Sequence, residues 1–109
     1  MATSAPPDIV RSAYAELIVT DLAASKHFWV DRLGFVISFE DADAVYLRGH
    51  EEFVHHSLIL RKGAEPACAR FAFRVRTSED LDAAALFHTD RGCEVRRYFA
   101  GATRGVGPT

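Results

Sequence analysis

Apolar and polar residues alternate along the opening of the chain and then change period. Tyr14 and Glu16 alternate with Ala13 and Ala15, and Leu17-Ile18-Val19 is rich in β-formers. The pattern from Ile9 to Thr20 predicts a strand with two distinct faces. Thr20-Asp21 follows, and either side chain can accept from the unpaired amides of a helical first turn. From Leu22 the spacing is helical: Leu22, Phe28, Trp29 and Leu33 share one stripe, with Lys26, Asp31 and Arg32 toward water. Gly34 is expected to end that helix, because a residue at positive φ costs least there. Phe35–Phe39, Ala44–Arg48 and Phe53–Arg61 read as three further strands. Their short connections suit an antiparallel meander, so the first unit is βαβββ.

The pattern then restarts. Arg70–Arg76 alternates, with Phe71, Phe73 and Val75 on one face, and Thr77-Ser78-Glu79-Asp80 has the composition of a helix start. Leu81–Arg91 reads as an alanine-rich helix, Gly92 as its stop and Cys93–Phe99 as a strand. Gly34 and Gly92 are offset by the same distance as Phe28 and Leu86, which marks an internal repeat. The second copy is shorter after its glycine and ends among Gly101, Gly105, Gly107 and Pro108. The expected organisation is a disordered lead-in over 1–8, a first module over 9–61, a linker over 62–67 and a second module over 68–109 that stops before its last two strands. An unfinished sheet leaves an open edge and apolar surface. The expectation is therefore a fragment, a natural truncation, or a protomer completed by another chain. The fold class is α+β, built from paired βαβββ modules of which the second is incomplete.

Composition narrows the partners. The 109 residues predict one domain, with 49% hydrophobic and 26% charged positions, as in soluble globular proteins. Thirteen basic residues against fifteen acidic ones give a net charge of −2, which argues against nucleic acid as the main partner. No apolar run is long enough to span a membrane, and the N-terminus lacks the charge and apolar run of a secretory signal. Cys68 and Cys93 lack metal-motif spacing and read as reduced thiols, which implies a cytoplasmic protein.

Few residues offer chemistry. His55-His56 is the adjacent histidine pair; on a strand, neighbours point to opposite faces, so the two are not expected to share one metal. His55 reads as a half-buried strand residue with one hydrogen bond. Tyr14 and Glu16 share one strand face, which either packs on other strands or lines a concave surface. Glu51-Glu52 reads as a solvated turn or, less simply, a carboxylate ligand. His27, His50 and His88 have no ligand spacing. Arg91, Arg96, Arg97 and Arg104 form a basic cluster that either meets an anion or is a solvated edge.

Three stretches carry a resemblance: Ile18-Val19-Thr20-Asp21-Leu22, Phe28–Phe35, and Val45-Tyr46-Leu47-Arg48 with Glu51–Arg61. The first two, with the paired βαβββ units, resemble the vicinal oxygen chelate superfamily of glyoxalase I, bleomycin-resistance proteins and extradiol dioxygenases. The third resembles the N-terminal domain of bacterial 3,4-dihydroxyphenylacetate (homoprotocatechuate) 2,3-dioxygenases, relatives of catechol 2,3-dioxygenase. Gly101–Gly107 is similar to the loop that leads into the last strands of that domain. The resemblance implies a parent that opens a catechol ring with Fe(II) or Mn(II) and O2, the metal being held by two His and one Glu in a C-terminal domain. It places Tyr14, and Ala69 and Arg70 at the start of the second copy, at positions equivalent to metal ligands of the catalytic domain. It implies that the strand that would carry the Glu is absent, and it places His55 where the catalytic domain has an acid–base His. Expected here are no metal and no cofactor in this chain, with His55, Tyr14 and Glu16 as the candidate site residues. The expected partners are further copies of the chain, a C-terminal catalytic domain, or both, with a small aromatic substrate in the parent. The alternative is a stand-alone dimeric small-molecule-binding protein of the bleomycin-resistance or glyoxalase type.

Overall fold

A computed structural model describes residues 4–109. Among them are β1 (Ile9–Val19), α1 (Leu22–Lys26) extended by a π-helical stretch (His27–Arg32), β2 (Val36–Glu40), β3 (Ala44–Arg48), β4 (Leu58–Lys62), β5 (Ala67–Val75) and α2 (Ser78–Asp90). The strand order is β2-β3-β4-β1-β5. The elements realise the α+β expectation: one βαβββ unit, then the strand and helix of a second. Two compact units divide the described residues, Ala13–Ala72 in one and residues 4–12 with Phe73–Thr109 in the other; β1 and β5 each run through both.

In the unit Ala13–Ala72, β2–β3 and β3–β4 are antiparallel, whereas β4 lies parallel to β1. Register sorts the side chains by face. Leu17 lies opposite Leu60, which lies opposite Val45; Ala15, Leu58 and Leu47 form the next row. These rows pack under Leu22, Trp29 and Val30 of the helix, with Phe35 and Ile37. Leu47 and Leu60 are wholly buried, each stabilising the fold by about 2–3 kcal/mol. The helix starts where expected: Asp21 caps it by accepting from the Ala24 amide at 3.0 Å. Gly34 at φ +79° ends it.

The expected helical stripe needs correcting. Leu22 and Trp29 enter the core, but Phe28 and Leu33 stay half exposed. From His27 the helix widens, and the Leu33 amide reaches the Phe28 carbonyl five residues back. That wider turn rotates later side chains off the α-helical stripe and brings Val30 to the core instead. The fourth strand also begins later than expected, at Leu58 rather than Phe53. The Glu52 carboxylate accepts from the Gly49 amide (2.8 Å) and the Ser57 hydroxyl (2.6 Å) and so closes residues 49–57 into a loop.

In the other unit, α2 starts on a capping box: Thr77 Oγ1 accepts from the Asp80 amide while the Asp80 carboxylate accepts from the Thr77 amide. Gly92, at φ +81°, ends it. Cys93–Phe99 is not a strand. Alternation alone makes no strand without a partner ladder, and here Tyr98 and Thr109 exchange backbone bonds (2.8 and 3.0 Å) in isolation. Residues 1–3 of the expected lead-in lie outside the described residues. Asp8 is tied to Arg76 by a 2.6 Å ion pair.

Candidate functional site

Opposite the helix, the sheet of the unit Ala13–Ala72 carries a different set of side chains. Phe39 faces Tyr46, Tyr46 faces Ile59, and Ile59 faces Glu16, a single row across β2, β3, β4 and β1. Tyr14 packs on this cluster. Tyr14 and Glu16 thus share one face, as their spacing implies.

Glu16 is only 4% exposed. A buried carboxylate must be neutralised and hydrogen-bonded. Its Oε1 accepts from Arg61 Nη2 at 3.3 Å, and Arg70 Nε stands 3.6 Å from Oε2. Burial works against the Arg61 charge, but hydrogen bonds to Tyr46 and Glu16, with the charge of Glu16, outweigh it and raise the guanidinium above its ordinary value. Pairing is set by topology: the parallel β1–β4 register places Ile18 opposite Arg61, one step from Glu16.

His55 and His56 occupy the loop before β4, not a strand, so their rings are free to turn toward each other. Their Nδ1 atoms lie 2.8 Å apart with the rings perpendicular and the centroids 5.1 Å apart. The two nitrogens meet nearly head-on, which is the geometry of an N–H···N hydrogen bond carrying one proton. His56 is 4% exposed, edge-on to Tyr14 (4.8 Å) and Tyr46 (5.0 Å), and its Nε2 is buried without a hydrogen-bond partner. Burial, and after it the neighbouring His55, push the His56 pKa down to about 4 against the opposing pull of Glu16. His55 remains exposed.

The residues here do not fit a divalent metal. At the positions that the resemblance equates with ligands, Ala69 has no donor atom and Arg70 is a cation with no acceptor. Tyr14 is turned against the His56 ring, and the Glu16 carboxylate is already shared by Arg61 and Arg70. Among the described residues, no three His, Cys, Asp or Glu side chains are grouped to hold a metal ion.

The other candidates are scattered. Glu52 is not a solvated turn residue but the organiser of the 49–57 loop, and Arg48 Nη1 donates to its carbonyl at 3.3 Å. His27 pairs with Asp31 at 2.6 Å on the exposed helix side, His50 is exposed, and His88 Nδ1 donates to the Ala84 carbonyl at 2.8 Å. Cys68 and Cys93 are exposed free thiols. The basic cluster is locally committed: Arg96 to Glu94 (2.8 Å), Arg97 to Asp82 (2.7 Å), and Arg91 over the Phe87 ring (3.5 Å). Sequence reading missed Arg61, Arg70, Tyr46 and His56 as companions of Glu16. The β1–β4 register brings Arg61 to Glu16 from 45 positions away, the neighbouring strands β3 and β5 bring Tyr46 and Arg70, and loop closure brings His56.

The geometry has close counterparts. Homoprotocatechuate 2,3-dioxygenase from Brevibacterium fuscum, solved as an anaerobic complex with 3,4-dihydroxyphenylacetate, superposes with a TM-score of 0.91 at 50% identity, over 99% of this chain and 34% of its own. Metapyrocatechase from Geobacillus stearothermophilus is 28% identical over 79 residues, covering 72% of this chain and 24% of that enzyme. A manganese-dependent 2,3-dihydroxybiphenyl 1,2-dioxygenase from Geobacillus genomosp. 3 is 27% identical over 100 residues, covering 92% of this chain and 32% of that enzyme. The chain thus spans about a third or less of the length of these relatives. The sequence pattern of one family runs through residues 11–100, nearly the whole chain, and with the βαβββ topology it establishes that the protein belongs to the glyoxalase/bleomycin resistance protein/dioxygenase superfamily.

Proposed function

We propose that this chain is the N-terminal, metal-free domain of an extradiol ring-cleaving dioxygenase and that it does not catalyse ring opening alone. The observation that carries the reading is the 50% identity and 0.91 TM-score over 99% of the chain, against 30–34% of the homoprotocatechuate 2,3-dioxygenase chains it matches. The parent's substrate would be a catechol such as 3,4-dihydroxyphenylacetate, with O2 and Fe(II) or Mn(II) as the metal. One relative is manganese-dependent by name, which supports the metal class. The donor set supports the division of labour: Arg61 and Arg70 supply to Glu16 the positive charge that a cation would otherwise supply. In this role the domain scaffolds the catalytic part of the parent and contributes to contacts between subunits.

Two oxygen-electrode measurements test the reading. The chain alone, with Fe(II) and 3,4-dihydroxyphenylacetate, consumes no oxygen above the metal-only rate. A hybrid in which it replaces the matching segment of the Brevibacterium fuscum enzyme cleaves the ring. Turnover by the chain alone, or a folded hybrid that binds iron and stays inactive, overturns the proposal.

A further inference from the structure

The His55–His56 contact has a definite proton requirement. At 2.8 Å, nearly head-on, one Nδ1 must carry hydrogen and the other must be bare. The pair tolerates one additional proton on an outer nitrogen. It does not tolerate full protonation, which would set two N–H groups and two positive charges against each other. His56 cannot turn away within the closed loop, because its ring is wedged between Tyr14 of β1 and Tyr46 of β3.

We infer that the His55–His56 hydrogen bond is a one-proton latch: it fixes the His56 ring in its seat between Tyr14 and Tyr46, through which the 49–57 loop rests on the sheet, and frees that ring in acid. The Ser57 backbone bonds to Ala15 and Leu47 keep the end of the loop in place. The device rests on three observations: the facing Nδ1 atoms, the burial of His56, and the exposure of His55, which gives protons and the open rotamer access to water. Phe53, in the same loop, is fully exposed, so release moves an apolar side chain that nothing in the unit pins down. Other ionisable groups around the latch come from β1, β3, β4 and β5, while β2 contributes Phe39 to that face. Glu16 of β1 favours the charged His56, whereas Arg61 of β4 and Arg70 of β5 offset Glu16. Tyr14 and Tyr46 contribute ring edges, and within the loop Glu52 is engaged by Gly49 and Ser57 with Arg48 on its carbonyl.

The sign follows from proton uptake. His56 in the closed loop titrates at about 4, below the ordinary 6.5 that applies once the loop opens. The open form therefore binds the proton more readily. Closure is at full strength above pH 6.5 and weakens as pH falls from there toward 4, by on the order of a hundredfold in the closed-to-open ratio, the burial of His56 contributing the larger part and the facing His55 the rest.

Ring-nitrogen NMR of the full chain is the test. At pH 7 one Nδ1 of the pair is protonated and the other bare. On acidification the Tyr14–His56 and Tyr46–His56 contacts disappear, and the loop amides shift with the same midpoint, below pH 5. His55→Gln separates the latch from general acid unfolding. Its amide can donate to a neutral His56 or, flipped, accept from a protonated one, so the loop stays closed to lower pH. His27→Gln, on the exposed helix, leaves the midpoint unchanged. The inference is overturned if both Nδ1 atoms are protonated, or both bare, at pH 7. It is equally overturned if the loop remains closed in wild type at pH 4, or if His55→Gln opens at the wild-type midpoint.

Discussion

Removing the two arginines that share Glu16 should cost more together than the sum of their separate costs. Glu16 is 4% exposed, whereas the Arg61 and Arg70 side chains are 37% and 52% exposed. Each arginine can rehydrate when its partner is lost; the carboxylate cannot. Arg70 makes only the 3.6 Å contact and is the more exposed, so Arg70→Ala costs less than about 1 kcal/mol. Arg61 holds the 3.3 Å hydrogen bond and also bonds Tyr46, so Arg61→Ala costs about 1–2 kcal/mol. With either arginine present, Glu16 retains one counter-charge. Without both, a buried carboxylate is uncompensated, at about 3–5 kcal/mol. Urea unfolding of the wild type, both single variants and the double variant measures the excess directly, and Glu16→Gln supplies the control background. In that background each arginine substitution costs less than about 1 kcal/mol. Additive losses in the Glu16 protein, or equal losses in both backgrounds, would refute the claim that the arginines serve the buried carboxylate.

Other substitutions test the scaffold around this face. Leu47→Ala empties a wholly buried position beneath the helix and lowers stability by about 2–5 kcal/mol in the same urea assay. Gly63→Ala places a methyl group against Ile18 Cγ2, on the same face of β1 as Glu16, and costs about 1–3 kcal/mol, visible as a lower Tm. Thr77→Ala removes one half of the α2 capping box and costs about 1 kcal/mol, with loss of amide-exchange protection confined to the first turn of α2.

Features set by neighbouring residues were legible in the sequence. Asp21 and Thr77 cap the two helices, Gly34 and Gly92 end them at positive φ, and β3 has the expected bounds, because each depends on a few adjacent residues. Features set by pairing were not. Phe53–Ser57 has strand composition, but the Glu52 carboxylate diverts it into a loop. That diversion reverses the expectation for the histidines: off a strand, adjacent side chains can converge. Cys93–Phe99 alternates suitably and has no ladder to join. The candidate site was half visible. Tyr14 and Glu16 fall on one face by period alone, whereas Arg61, Arg70, Tyr46 and His56 join them only through sheet register and loop closure.

Central to the proposed function is that this chain's own residues leave no place for the metal of the proposed parent enzyme. The most direct measurement is metal content and anaerobic Fe(II) titration of the purified chain, with mass determined alongside. The account predicts no stoichiometric metal and no saturable Fe(II) binding at micromolar concentration. One tightly bound metal per chain or per dimer would contradict it, and would mean that Glu16 or His55 is recruited as a ligand despite Arg61, Arg70 and His56.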